Sequence, residues 1–135
     1  MLLCTPIEGL VGQELEQARD CISMYKRVRS TIQNGLLYRL HSPRNAHVAA
    51  SQYLAQDGSE VVVFVWGHSQ LFGEKQVPLA LCGLHRDTHY EDSESGVMYS
   101  GSYLMQHGLS VNLVGDFDSH MIHLVNISER KGLGV

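Results

Sequence analysis

Eight histidines, three cysteines and several closely spaced carboxylates are the residues of this 135-residue sequence best placed to do chemistry. His85 and His89 are four apart, a spacing that shares one face on a helix, but these two fall in a glycine-bounded turn. His120 and His123 are three apart in a segment that reads as strand, where that spacing sends side chains to opposite faces. Neither pair is preorganised for zinc. Two carboxyl groups around one bond are a general acid and base arrangement, and Asp116 and Asp118 would share a face in a strand. They follow Gly115 at a strand entry, however, where Asp serves turns through side-chain to backbone hydrogen bonds. Glu91, Asp92 and Glu94 form an acidic turn that reads as a solvated loop, with calcium as the alternative. Ser100, Ser102 and Ser119 lie in no G-x-S-x-G elbow, and Gly96, Gly101 and Gly108 do not make a dinucleotide fingerprint. Cys4, Cys21 and Cys82 are odd in number and without C-x-x-C, so they read as packed or incidental thiols.

The elements that must position these residues fall into two parts. Leu15, Ala18, Ile22, Tyr25, Val28 and Ile32 recur at spacings of three and four, which predicts a helix over Gln13–Gln33 with one apolar stripe. Its acids, Glu14, Glu16 and Asp20, precede its bases, Lys26, Arg27 and Arg29, as the helix dipole favours. Thr5-Pro6-Ile7-Glu8 has the form of a capping box, and Asn34-Gly35 marks the stop. Beyond Gly35 the period becomes strand-like. Strands are expected at Leu36–His41, His47–Ala55, Glu60–His68, Val77–Gly83, Thr88–Asp92, Leu109–Val114 and Phe117–Ile127, with a helical turn at Ser102–Gln106. Asp57-Gly58 suits a tight hairpin between the second and third strands. The run Val61–Trp66 is apolar at both parities, so it is expected at the centre, covered on both faces, with Trp66 in the core. The fold class is therefore mainly β: an antiparallel Greek-key β-sandwich preceded by one long α-helix. The chain divides into a helical segment at 1–34, the sandwich at 35–128 and a flexible tail at 129–135.

Composition narrows the function classes. Ten Lys plus Arg against 14 Asp plus Glu give a net charge of −4, and no basic block extends beyond Lys26-Arg27-Val28-Arg29, which disfavours nucleic acid as a partner. Val61–Trp66 is the longest apolar run and is far too short to span a bilayer, so no membrane partner is expected. The first residues lack a basic region and a long apolar stretch, so no secretory signal is expected from them.

One ordered series of motifs is more specific than any of these fragments. Tyr25-Lys26-Arg27-Val28-Arg29 leads into Ile32-Gln33-Asn34-Gly35-Leu36-Leu37-Tyr38-Arg39-Leu40 and Ser42-Pro43. Val61-Val62-Val63-Phe64, Pro78-Leu79, Leu81-Cys82-Gly83-Leu84 and Tyr90 follow. The series closes with Tyr99-Ser100-Gly101, Leu104-Met105, Gly108-Leu109 and Gly115-Asp116-Phe117-Asp118-Ser119. It resembles the junction between the last barrel helix and the C-terminal β-sandwich of family 36 glycoside hydrolases, the α-galactosidases, over roughly Gln13 to Val125. Leu36 stands where that family usually has an acid.

The resemblance implies a parent enzyme that hydrolyses terminal α-D-galactosides such as melibiose- and raffinose-type sugars with two barrel carboxylates. Neither has a matching position here: Trp66 is not part of a K-W-D segment, and Asp87, Asp116 and Asp118 align with the sandwich. No residue is therefore assigned a catalytic, cofactor-binding or metal-ligating role, no cofactor is expected, and the chain alone is expected to be inactive. The implied partner is the catalytic barrel, or a second copy through the apolar helix face. The alternative is a free-standing carbohydrate-binding or interaction module, for which Tyr53 or Tyr99 would supply the exposed aromatic surface.

Overall fold

The computed structural model describes residues 7–44, 47–69 and 78–128. After a 3₁₀ turn at Ile7–Gly9 come α1 (Gln13–Asn34), β1 (Leu36–His41), β2 (Val48–Leu54), β3 (Glu60–Gly67), β4 (His89–Asp92), β5 (Met98–Ser100), α2 (Gly101–Gln106) and β6 (Ser119–Asn126). The helix begins after Gly12 without a side-chain cap, and Thr5 and Pro6 of the expected capping box lie outside the described residues. It ends where Gly35 N–H donates to the Thr31 carbonyl at 2.9 Å. A Cβ at Gly35 would stand 2.4 Å from the Thr31 oxygen and 2.6 Å from the Leu54 oxygen. Only glycine lets the helix turn directly into a strand that pairs with β2.

The strands form one six-stranded sheet in the order β1-β2-β3-β6-β4-β5, with every pairing antiparallel. Three strands meander, and the last in sequence enters between β3 and β4, a non-sequential return of the Greek-key kind. β3 lies at the centre, and Val61, Val62 and Val63 are fully buried because each face of that strand is covered. Side chains alternate between the faces. Val61, Val63, Val65, Ala50, Leu54, Ile122 and Leu124 point into the main core. Glu60, Val62, Phe64 and Trp66 have the opposite parity and share the other face with Met121 and His123.

The core side is covered by Leu79, Leu81, Leu84, Leu104, Leu109 and Leu113. Two expected strands are corrected here. Val77 lies outside the described residues, while Pro78–Gly83 and Leu109–Val114 make only the isolated bridge Leu79↔Leu109. The apolar alternation that suggested strands is real, since Leu79 and Leu81 are buried and Pro78, Ala80 and Cys82 are exposed. Their backbone groups bond elsewhere: Leu81 N–H donates to the Leu104 carbonyl, and both main-chain groups of Cys82 are held by the Gln52 amide. Alternation reports a covered face, not a strand partner. Close approach at the bridge also requires Gly108, whose φ is +78° and whose Cβ would fall 2.5 Å from the Leu79 backbone.

At the margins, β5 was not expected, being only three residues long. β6 starts at Ser119 because Phe117 takes a left-handed φ of 62°, incompatible with a strand. The expected tail, 129–135, lies outside the described residues.

Candidate functional site

The face of the sheet opposite the main core is only partly covered. α1 reaches it through its C-terminal turns, where Val28 and Thr31 are the buried helix residues. The rest of the expected stripe, Leu15, Ala18, Ile22, Tyr25 and Ile32, stays half-exposed. Cover therefore fades along β3: Val62 is 0% exposed, Phe64 is half-buried and Trp66 is 45% exposed. Placing Trp66 in the core is corrected for this reason, since the helix covers the early part of β3 and leaves the later part open. Phe64 stacks on Trp66 with centroids 5.7 Å apart, and Tyr53 meets Phe64 edge-on at 6.1 Å. The result is a row of three aromatic rings on one face of β2 and β3, with Leu37, also half-exposed, opposite Tyr53 in register.

Beside this row a polar relay joins helix and sheet. His123, on β6, approaches Glu60 Oε1 with Nε2 at 2.5 Å and Ser93 Oγ with Nδ1 at 2.9 Å. The other Glu60 oxygen accepts from the Thr31 hydroxyl on α1. Ser93 opens the β4–β5 turn, and its backbone N–H donates to the His123 carbonyl at 2.9 Å. His123 and Glu60 side chains are 15% and 20% exposed, whereas Ser93 faces solvent. A cavity of about 220 Å³ opens beside them, lined by Met24, Arg27, Val28, Ser93, Glu94, Met121 and His123.

The residues singled out by sequence are dispersed. Asp118 accepts from the Val114 and Ser119 N–H groups at 2.8 Å each, and these bonds hold its carboxyl below the usual carboxylate range. Asp92 likewise ties the acidic turn, accepting from Glu94 N–H and from the Ser95 hydroxyl. His120 and His123 do point to opposite faces, and His85 and His89 are each exposed. Cys21 and Cys82 are free and exposed, and Cys4 lies outside the described residues. Among the described residues no group of three or more His, Cys, Asp or Glu could hold a metal ion. Tyr53 and Tyr99 do not form one surface: Tyr53 belongs to the helix side, while Tyr99 pairs with fully buried Tyr90 and packs on the main core. Trp66, Tyr103 and Phe117 are the exposed aromatics among the described residues that sequence reasoning missed.

The family model for the glycosyl hydrolase family 36 C-terminal domain matches residues 48–124, more than half of the chain. The chain belongs to that family. The family 36 domain is similar over 91% of its length to α-galactosidase AgaA of Geobacillus stearothermophilus, at 32% identity. It is 28% identical to α-galactosidase 2 of Hypocrea jecorina over 89% of the chain. The crystal structure of Geobacillus stearothermophilus AgaA superposes with a TM-score of 0.83 at 30% identity over 89% of this chain. The galactosidase domain of the α-galactosidase–sucrose kinase AgaSK gives 0.82 at 25% identity over 88%. The chain spans only 16% to 17% of the length of the two relatives and of the two solved chains.

Proposed function

We propose that this family 36 C-terminal domain is the non-catalytic support of an α-galactosidase, with the bond-cleaving carboxylates carried by a (β/α)₈ barrel of the same protein. The substrates of that enzyme are terminal α-D-galactosides of the melibiose and raffinose type. One observation carries the reading: the sheet face seating α1 continues into an aromatic row, Tyr53, Phe64 and Trp66, whose cover fades from half-buried rings to exposed Trp66. A domain that covers a leucine-rich core on one side and leaves aromatic rings in water on the other is built to bury that side against something. α1 is the natural join, because its own stripe is only half-buried. In the isolated chain the same surface directs self-association.

The test exchanges the matched part of Geobacillus stearothermophilus AgaA, about 17% of that protein, for this chain. Hydrolysis of p-nitrophenyl α-galactoside and the melting temperature are followed. The chimera is expected to fold and turn over, to lose stability on combining Phe64→Ser with Trp66→Ser, and to leave the isolated 135-residue chain at the buffer blank. Turnover by the isolated chain, or a chimera indifferent to both substitutions, overturns the proposal. Trp66 is the sole tryptophan, so its emission reports cover directly. A saturable emission change with free galactosides would favour the carbohydrate-binding alternative instead.

A further inference from the structure

The relay described above has the connectivity of a nucleophilic triad, and it lies wholly within this domain. We propose that Ser93, His123 and Glu60 form an acyl-transfer site that hydrolyses small carboxylic esters. The decisive feature is that the two partners of His123 engage opposite ring nitrogens. Glu60 Oε1 lies 2.5 Å from Nε2, so Nε2–H donates to the carboxylate and the tautomer is fixed. Nδ1 is then a lone pair, 2.9 Å from the Ser93 hydroxyl and within the range for a nucleophile and its base. The hydroxyl also lies 3.0 Å from the His123 carbonyl, so its proton has two acceptors, of which only the imidazole is basic enough to remove it. Glu60 is a positioning residue, held in turn by the Thr31 hydroxyl on the buried side of α1.

Exposure follows the same logic. Ser93 is open to solvent and His123 is mostly covered. The cavity of about 220 Å³ beside them has apolar walls at Met24, Val28 and Met121 for a short acyl chain, with Arg27 and Glu94 also in its lining. In the reaction Ser93 Oγ bonds to the ester carbonyl carbon as His123 Nδ1 takes the hydroxyl proton. The carbon–oxygen bond to the leaving alcohol then breaks, and the alcohol departs with that proton. Water attacks the acyl-serine carbonyl carbon, giving a proton to Nδ1; the bond from that carbon to Ser93 Oγ then breaks as Nδ1 returns the proton to Oγ, and the acid leaves with Ser93 restored. No metal, oxidant or further reactant is required. The chemistry of the site does not rest on the galactosidase reading, and it is tested in the chain by itself, where the face that reading buries is open.

The 135-residue chain is incubated with a fluorophosphonate probe and, separately, with p-nitrophenyl butyrate. Intact mass and peptide mapping are expected to show one adduct, on Ser93. Because free imidazoles also cleave activated esters, the decisive comparison is with Ser93→Ala, which keeps every histidine and should fall to the imidazole background. His123→Gln should lose about 10²-fold or more, as removal of a general base does. Glu60→Gln should lose rate and change the pH profile while still accepting the probe slowly. Circular dichroism establishes that each variant is folded, and exposed Ser93 keeps the test valid even where Glu60→Gln does not fold. Absence of a Ser93 adduct, or ester cleavage unchanged in Ser93→Ala, overturns the proposal.

Discussion

Gln52 is 0% exposed in the middle of a strand, and its amide serves as the strand partner that Cys82 lacks. Cys82 N–H donates to Gln52 Oε1 at 2.8 Å, and Gln52 Nε2 donates to the Cys82 carbonyl at 2.7 Å. Gln52→Met keeps the volume and removes both bonds, so no cavity contributes to the outcome. Two neutral hydrogen bonds contribute about 1–3 kcal/mol together, and leaving both main-chain groups dry and unpaired would cost up to about 6 kcal/mol. The two bonds are only part-buried, so the lower part of that range applies, about 2 kcal/mol. For a domain of this size about 1 kcal/mol moves the melting temperature by roughly 3–4 °C, so a fall of about 6–8 °C is expected. Thermal melting by circular dichroism reads the shift, and hydrogen exchange at the Cys82 amide localises it. Gln52→Glu should be worse than Met, because it keeps one acceptor but turns a buried carboxylate oxygen toward the Cys82 carbonyl. A melting temperature within about 1 °C of the unsubstituted chain would refute the idea that this clamp holds the irregular layer onto the sheet.

Val63→Asp should leave no folded protein, since an unpaired charge at a 0% exposed site costs several kcal/mol or more against a total of roughly 5–15. Trp66→Asp, three positions along the same strand, should express and melt within about 1 kcal/mol of the unsubstituted chain because that site is open to water; equal expression of the two would refute the graded cover of β3. Asp57 and Asp118 are both held below the ordinary carboxylate value of 3.8, Asp57 chiefly by the Ser59 hydroxyl and Asp118 chiefly by the Val114 N–H. Depressed folded values mean that the unfolded chain takes up protons first. Their contribution is therefore complete above the unfolded value and lost as pH falls through the folded ones. Both groups are open to solvent at their carboxyls, so the effect is small, and Asp57→Asn with Asp118→Asn should flatten the acid limb of a melting-temperature profile by lowering its neutral plateau slightly while leaving its acid end unchanged.

The regular part of the fold was legible because it obeys simple periods. The 3.6-residue stripe predicted a helix from Gln13, where α1 begins, and the two-sided apolarity of Val61–Trp66 placed β3 at the centre, although Trp66 itself is exposed. What the periods could not show is which backbone groups pair. Leu79 and Leu81 alternate with exposed neighbours as a strand does, yet the partner of Cys82 is the Gln52 side chain and the partner of Leu81 is a helix carbonyl. A buried glutamine at an inward position of β2 is itself the available signal, because an amide placed there must find a donor and an acceptor.

The two features of the open face were hidden for different reasons. Exposure of Trp66 depends on where α1 leaves the sheet, and that follows from the turn at Gly35 and from Thr31 meeting Glu60 at the start of β3, not from the composition of β3. The relay joins residues 29, 30 and 63 positions apart, so no local motif could contain it. Part of it was nonetheless written in parity. On β6, Ile122 and Leu124 point to the main core, which puts His123 on the other face, and Glu60 has the same parity as Val62, which pairs with His123. Once β3 and β6 are neighbours, a carboxylate and an imidazole must lie diagonally across that face, under the end of a helix that supplies a hydroxyl. The register that makes them neighbours is set by the apolar residues of the opposite face, so the core that stabilises the domain also decides which polar groups meet beneath α1.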